Sequence, residues 1–227
     1  MALALIACGD STGVADDTFD IEFDFANDYQ GWVAGFADYP VGKETEWAIG
    51  SSLAPLPAPL DASRKGIRLS GDNHSDDLFM YISRGITALA PNKEYALRFR
   101  VTLATNAPRN CVGIGGAPGE SVVLKVGGTT VEPSRSVDGA QYYRANFDHG
   151  SQLRGGGNAT PVGDLANSST NCTVLRYELK QFDSGSTPVI VTSDAGGRLW
   201  LVVGVDSGFE GTTSVYITSV KVDVDPR

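Results

Sequence analysis

The chain of 227 residues carries 27 Asp and Glu against 18 Lys and Arg, a formal net charge of −9. A surface of that sign repels phosphate backbones and anionic lipid, and no basic run interleaved with aromatics interrupts it, which argues against nucleic acid as a partner. Hydrophobic residues at 41% suffice for a core, while 27 Gly and 11 Pro without any long helix-period stretch predict many short strands and turns.

The chain opens on address information. Leu5-Ile6-Ala7-Cys8 resembles the bacterial lipobox, which implies cleavage before Cys8 and a lipid on that cysteine. The preceding residues lack Lys and Arg and are too short for a complete apolar region, so residues 1–18 read as a truncated lipoprotein signal and a flexible tether. Membrane contact would then run through the lipid anchor, in a bacterial cell envelope, periplasmic or surface-exposed. Nothing after residue 19 resembles an interdomain linker, so residues 19–227 are expected to form a single domain. With Cys8 set aside, Cys111 and Cys172 remain as an even pair bound for an oxidising compartment, and a disulfide is the economical assignment.

Phe19, Ile21, Phe23 and Phe25 alternate with Asp20, Glu22 and Asp24, a strand with one apolar and one acidic face. Residues 37–63 hold Pro40, Pro55, Pro57 and Pro59, a density that predicts extended, unpaired backbone over the surface or along a sheet edge. Residues 78–82 are a continuous apolar run. In residues 94–103 Tyr95, Leu97, Phe99, Val101 and Leu103 alternate with polar neighbours, which gives one core face and one wet face. Val122, Leu124 and Val126 continue the pattern, followed by residues 142–147 and by Leu175, Tyr177 and Leu179. Residues 198–224 read as two long strands joined by a polar loop, a closing hairpin. Its first strand is apolar on both faces, so it is expected centrally in a covered sheet with Trp200 in the core. Its second places Tyr216, Val220, Val222 and Val224 on one face and Ser219, Lys221 and Asp223 on the other. Ten or so strands without a helix predict an all-β antiparallel sandwich of jelly-roll type.

The opening FDFANDYQGW, the middle KGIRLSGDN with ALAPNKEYALRFRVTLAT, and the closing RLWLVVGVDSGFEGTTSVYITSVKVDV resemble the first, middle and last strands of galactose-binding-like jelly rolls, a group with many carbohydrate-binding modules, and of bacterial lipoproteins built on them. The resemblance implies a fold and a habit of binding glycans. It also implies a structural calcium near the first and last strands, for which Asp20, Glu22 and Asp24 with Asp223 and Asp225 are the matching carboxylates.

Polar residues concentrate in four connections, at 70–77, 113–120, 146–152 and 206–210, which include both histidines of the chain, His74 and His149. Loops at one end of a sandwich converge, so these four are expected to share a site. In a binding module His74, Asp76, Asp77, Glu120, Asn146, Asp148, His149 and Glu210 supply hydrogen bonds to hydroxyls, while Tyr39, Trp47 or Phe209 stacks on the apolar face of a sugar. The alternative is an enzyme, a metal-assisted or acid–base hydrolase or lyase acting on polysaccharide, with His74, His149 and the loop carboxylates as its working groups; no catalytic string such as H-E-x-x-H or G-x-S-x-G accompanies them. A structural or adhesive surface module is the third reading.

Overall fold

The computed structural model describes residues 18–75 and 77–227. Cys8, the signal and nearly all of the tether therefore lie outside the described residues, as does Asp76. In chain order the strands are β1 (Phe19–Asp24), β2 (Val33–Ala37), β3 (Tyr39–Pro40), β4 (Gly50–Pro55), β5 (Lys65–Asp72), β6 (Leu78–Ile86), β7 (Glu94–Thr105) and β8 (Val122–Thr129). There follow β9 (Arg135–Val137), β10 (Tyr142–Ala145), β11 (Ala159–Asp164), β12 (Glu178–Asp183), β13 (Val189–Thr192), β14 (Leu199–Ser207) and β15 (Thr212–Pro226).

Two antiparallel sheets face one another. The first runs β12-β7-β15-β5-β4, with β1 pairing the second half of β15 and β13 pairing the start of β7. The second runs β11-β8-β14-β6-β2. The chain passes from sheet to sheet at β1–β2, β5–β6, β6–β7, β7–β8, β11–β12, β13–β14 and β14–β15, which is the jelly-roll habit and confirms the predicted all-β sandwich. Alternation in β7 holds throughout: Tyr95, Leu97, Phe99, Val101 and Leu103 are all buried between the sheets. Cys111 and Cys172 are bonded as expected, S–S 2.04 Å.

The segment after residue 198 differs from the sequence expectation in three respects. It is not a hairpin, because β14 pairs β6 and β8 in the second sheet while β15 pairs β5, β7 and β1 in the first. Residues 208–211 are thus an arch between sheets. A register shift between Ile217 and Ser219 then breaks the parity of β15, so that Val215 and Ile217 face the core before it and Val220, Val222 and Val224 after it. Tyr216, expected with the valines, faces outward instead. Trp200 is also outward, half-buried, with the Arg198 guanidinium 5.0 Å from its ring.

A third, small sheet, β3-β10-β9, covers the outer face of the second sheet. This explains why the apolar runs of β6 and β14 have no wet face: Phe79, Tyr81 and Val202 turn away from the sandwich and are buried against Ala37 and Phe147 in a second core. Gly204 belongs to this packing, since a Cβ there would stand 2.5 Å from the Phe79 ring and 2.9 Å from Tyr81 Cβ. Gly204→Ala is expected to destabilise by roughly 1–3 kcal/mol through overpacking, a shift that thermal unfolding would register.

Candidate functional site

The four polar connections do converge, around the β14–β15 arch. The Asn73 side-chain amide donates to the carbonyls of Ser207 (2.8 Å) and Phe209 (3.1 Å). Glu210 N–H donates to the Ile114 carbonyl at 2.9 Å, Gly208 N–H to that of Ser121 at 2.9 Å, and His149 lies against Asp206. The arch therefore takes its shape from all three other loops.

On one side of the arch is a cavity of about 260 Å³. Phe209, Leu165, Pro108 and Pro118 form apolar walls, the Cys111–Cys172 bridge closes one side, and Thr105, Asn106, Thr212, Thr213 and Ser214 bring hydroxyl and amide groups. Val112 and Leu175 stand exposed at its rim. The outer face of the first sheet continues from it: Arg68 Nε donates to Ser214 Oγ at 3.2 Å, and Tyr177 meets Tyr216 edge to face with centroids 5.5 Å apart. The sequence reading missed both tyrosines as surface rings. Tyr216 was hidden by the unforeseen register shift, and Tyr177 stood in a stretch read as a core strand, although β12 begins one residue later.

On the other side, on the outer face of the second sheet, is a buried charge network. Lys125 and Asp206 have fully buried side chains, and Nζ lies 2.6 Å from Asp206 Oδ2 and 2.8 Å from the His149 carbonyl. His149 Nε2 is 3.0 Å from Asp38 Oδ2, its Nδ1 is 3.4 Å from Asp206 Oδ2, and its ring stacks on Phe79 with centroids 4.0 Å apart. Arg144 holds the other Asp38 oxygen at 2.8 Å. Burial alone would push the His149 imidazole down, but hydrogen bonds and charge from Asp206 and Asp38 outweigh it and take it up to about 9. Burial, followed by the charges of Asp206 and Asp38, pushes Asp77 up to about 8.

Several predicted site residues serve the structure. Tyr39 and Trp47 are buried, 0% and 2% exposed, because their side chains turn inward from β3 and from the turn at 43–49, although most of residues 41–48 lie at the surface; neither ring presents a face to a ligand. Tyr39 hydroxyl is bonded by Arg135, and Trp47 packs between Tyr39 and His74. His74 is exposed beside Asp72, 3.4 Å away. His149 is enclosed, so the two histidines do not form one working pair. Asn146 ties Ser134 N–H and the Glu132 carbonyl, Asp148 accepts from Gly150 and Gly157, and Glu120 accepts from Asn110. Phe209, half-buried in the cavity wall, and its neighbour Glu210 keep their place at the arch.

The acidic residues matched to calcium do not fit it. Asp20 is paired with Lys221 at 2.7 Å, Asp223 with Arg100 at 2.8 Å, and Asp225 with Arg98, while Glu22 and Asp24 project from the exposed face of β1. Among the described residues no three acidic, His or Cys side chains come together as a metal cage.

No protein-family model matches the chain, and neither does any curated protein. Solved structures with similar strand layouts include a cleaved adhesin domain of Lys-gingipain from Porphyromonas gingivalis, at 12% identity and TM-score 0.37, over 90% of this chain and 97% of that one. A carbohydrate-binding module of Caldicellulosiruptor saccharolyticus in complex with mannohexaose is similar at 9% identity and TM-score 0.35, over 90% and 97% of the two chains. A Clostridium thermocellum xylanase fragment with xylohexaose, at 10% identity and TM-score 0.39, is matched over 89% of this chain and 28% of that one.

The pH dependence of stability follows from the network. The folded value of His149, about 9, lies above its ordinary 6.5, so its contribution is complete below pH 6.5 and is lost as pH rises through 9. Asp77 acts in the same direction from 3.8 to about 8, because the fold keeps a proton that the unfolded chain has released. His149 alone is expected to lower the unfolding free energy by about 3 kcal/mol between pH 6 and 9, Asp77 to add a fall of the same sign, and His149→Gln to remove the first part of that slope. Denaturant titrations across this range test it; a flat wild-type profile would count against the charged imidazole.

Proposed function

We propose that the domain is a non-catalytic module that binds a glycan at the loop end of the sandwich, carried in a bacterial envelope by a lipid on Cys8. The observation that carries the reading is the cavity beside the arch, whose lining combines one aromatic ring with hydroxyl and amide groups. A pyranose has an apolar face and a polar rim, and Phe209 with Asn106 and Ser214 offers both kinds of contact. The Tyr177–Tyr216 pair extends the surface for further sugar units. The Cys111–Cys172 bridge supports an oxidising compartment, as the lipobox resemblance implies.

A screen of the soluble domain, residues 19–227, against a glycan array tests this directly. Binding is expected with calcium or with chelator alike, because Asp20, Asp223 and Asp225 are engaged by Lys and Arg and, among the described residues, the candidate carboxylates form no cage. Phe209→Ala is expected to weaken binding about tenfold, ~1.4 kcal/mol, with an unfolding temperature measured alongside to separate lost contact from lost fold. Folded protein that binds no glycan would end the reading. The exposed Val112, Ile114, Val174 and Leu175 near the same rim favour a protein partner as the second reading in that event.

A further inference from the structure

We propose that Lys125 and Asp206 join covalently, Lys125 Nζ to Asp206 Cγ, in an amide that ties β8 to β14. This inference is independent of the glycan reading.

Three observations support it. The first is contact: Nζ stands 2.6 Å from Asp206 Oδ2, with both side chains fully buried. The two residues belong to paired strands, Lys125 opposite Gly204 and Asp206 opposite Val123, and both stand on the outer face of the second sheet. The second is the surroundings. Phe79, Tyr81, Phe147 and Val202 exclude water, and the His149 ring, stacked on Phe79, holds Asp206 from the side at 3.4 Å. An ammonium and a carboxylate kept from water carry a large desolvation cost, which a neutral amide removes. Fixed neighbours at contact distance also react as if at very high concentration.

The third observation is a proton carrier. Asp77 lies against Asp206, and a proton shared between them would satisfy Asp77 Oδ1 and Asp206 Oδ1, which have no hydrogen-bond partner among the described residues. With its carboxyl pushed up to about 8 by burial and by the neighbouring Asp206 and Asp38, Asp77 is protonated at neutral pH.

The step balances without any other reactant. A proton passes from Nζ to the Asp206 carboxylate, leaving a neutral amine and a neutral acid. The Nζ lone pair attacks Cγ and forms the C–N bond. Asp77 gives its proton to the departing hydroxyl and takes one from the nitrogen, so the C–O bond breaks, one water leaves and Asp77 ends as it began. The sum is ammonium plus carboxylate to amide plus water. Asp77 is only half-buried, which gives the water a way out.

Intact-mass measurement of the full chain, folded by circular dichroism and with its disulfide reduced, tests the proposal. The expected mass is one water below that of the processed polypeptide. Proteolysis is expected to yield the Lys125 and Asp206 peptides as one branched species. Lys125→Arg and Asp206→Ala are expected to restore the full mass, and Asp77→Asn to leave folded, unlinked chain. Folded wild-type protein of full mass with separable peptides, even after prolonged incubation, would overturn the bond, as would a water loss mapped to any other position. Asp77→Asn protein that links as fully as wild type would overturn the proton-carrier role.

Discussion

Asp206→Ala is expected to destabilise the domain by about 3–5 kcal/mol, among the largest effects of any single substitution. Among the described residues its carboxylate is the one acidic partner of Lys125, whose side chain is fully buried and otherwise bonded to the His149 carbonyl. Truncation would leave that ammonium without a counter-charge, remove one of two carboxylates from His149, and open a void beside Phe79. For a domain of this size the loss lowers the unfolding temperature by on the order of 10 °C. The double variant Lys125→Met, Asp206→Leu separates two causes. If the wild-type groups are an ion pair, apolar replacement of both recovers most of the loss, because neither desolvation cost remains. If they form an amide, the double variant also lacks a cross-link and recovers much less. A single variant as stable as wild type would refute the buried network as a source of stability. The pH slope keeps its sign in either state, since Asp38 holds His149 at 3.0 Å whether or not Asp206 is charged.

The contrast between these residues and the sequence shows what strand patterns convey. Strict alternation in β7, the two-faced apolar run of β14 and the pair of cysteines left once Cys8 is set aside were readable because each follows from local sequence and simple pairing. The doubly apolar runs at 78–82 and 199–203 even announced a cover on the outer face of the second sheet. They did not say what supplies it. Lys125, between Leu124 and Val126, has the spacing of a solvent-facing lysine, and its burial depends on the loop that carries Phe147 and His149 folding back over it. Tyr39 and Trp47 were misplaced for the same reason, since proline density says nothing about whether an irregular segment folds onto a sheet. The arch was read as a hairpin because two strands joined by a short polar loop look alike within one sheet or between two. Loop convergence was legible as a topological rule, whereas the roles of loop residues were not: Asn146 and Asp148 shape their own loops.

Removing the Cys111–Cys172 bridge, by Cys111→Ser with Cys172→Ser, is expected to cost about 4 kcal/mol, the chain-entropy value for a separation of 61 residues. The topology says why so large an excursion is clamped there. The chain leaves the first sheet at the end of β7 and returns at β12, which pairs that end, Thr105 opposite Glu178. Between them lie β8 and β11 of the second sheet and β9 and β10 of the cover, together with Lys125 and His149. The bridge thus closes the mouth of the segment that carries the cover of the charge network, and the same sulfurs line the cavity beside Phe209. Equilibrium unfolding in denaturant, oxidised against the double serine variant, measures the cost. Glycan binding by the folded variant is expected to weaken as well, because Val112 and Leu175 at the rim flank the two sulfurs. An unchanged denaturation midpoint would mean that strand pairing between β7 and β12 alone closes the excursion, and that the bridge acts on the cavity and not on the fold.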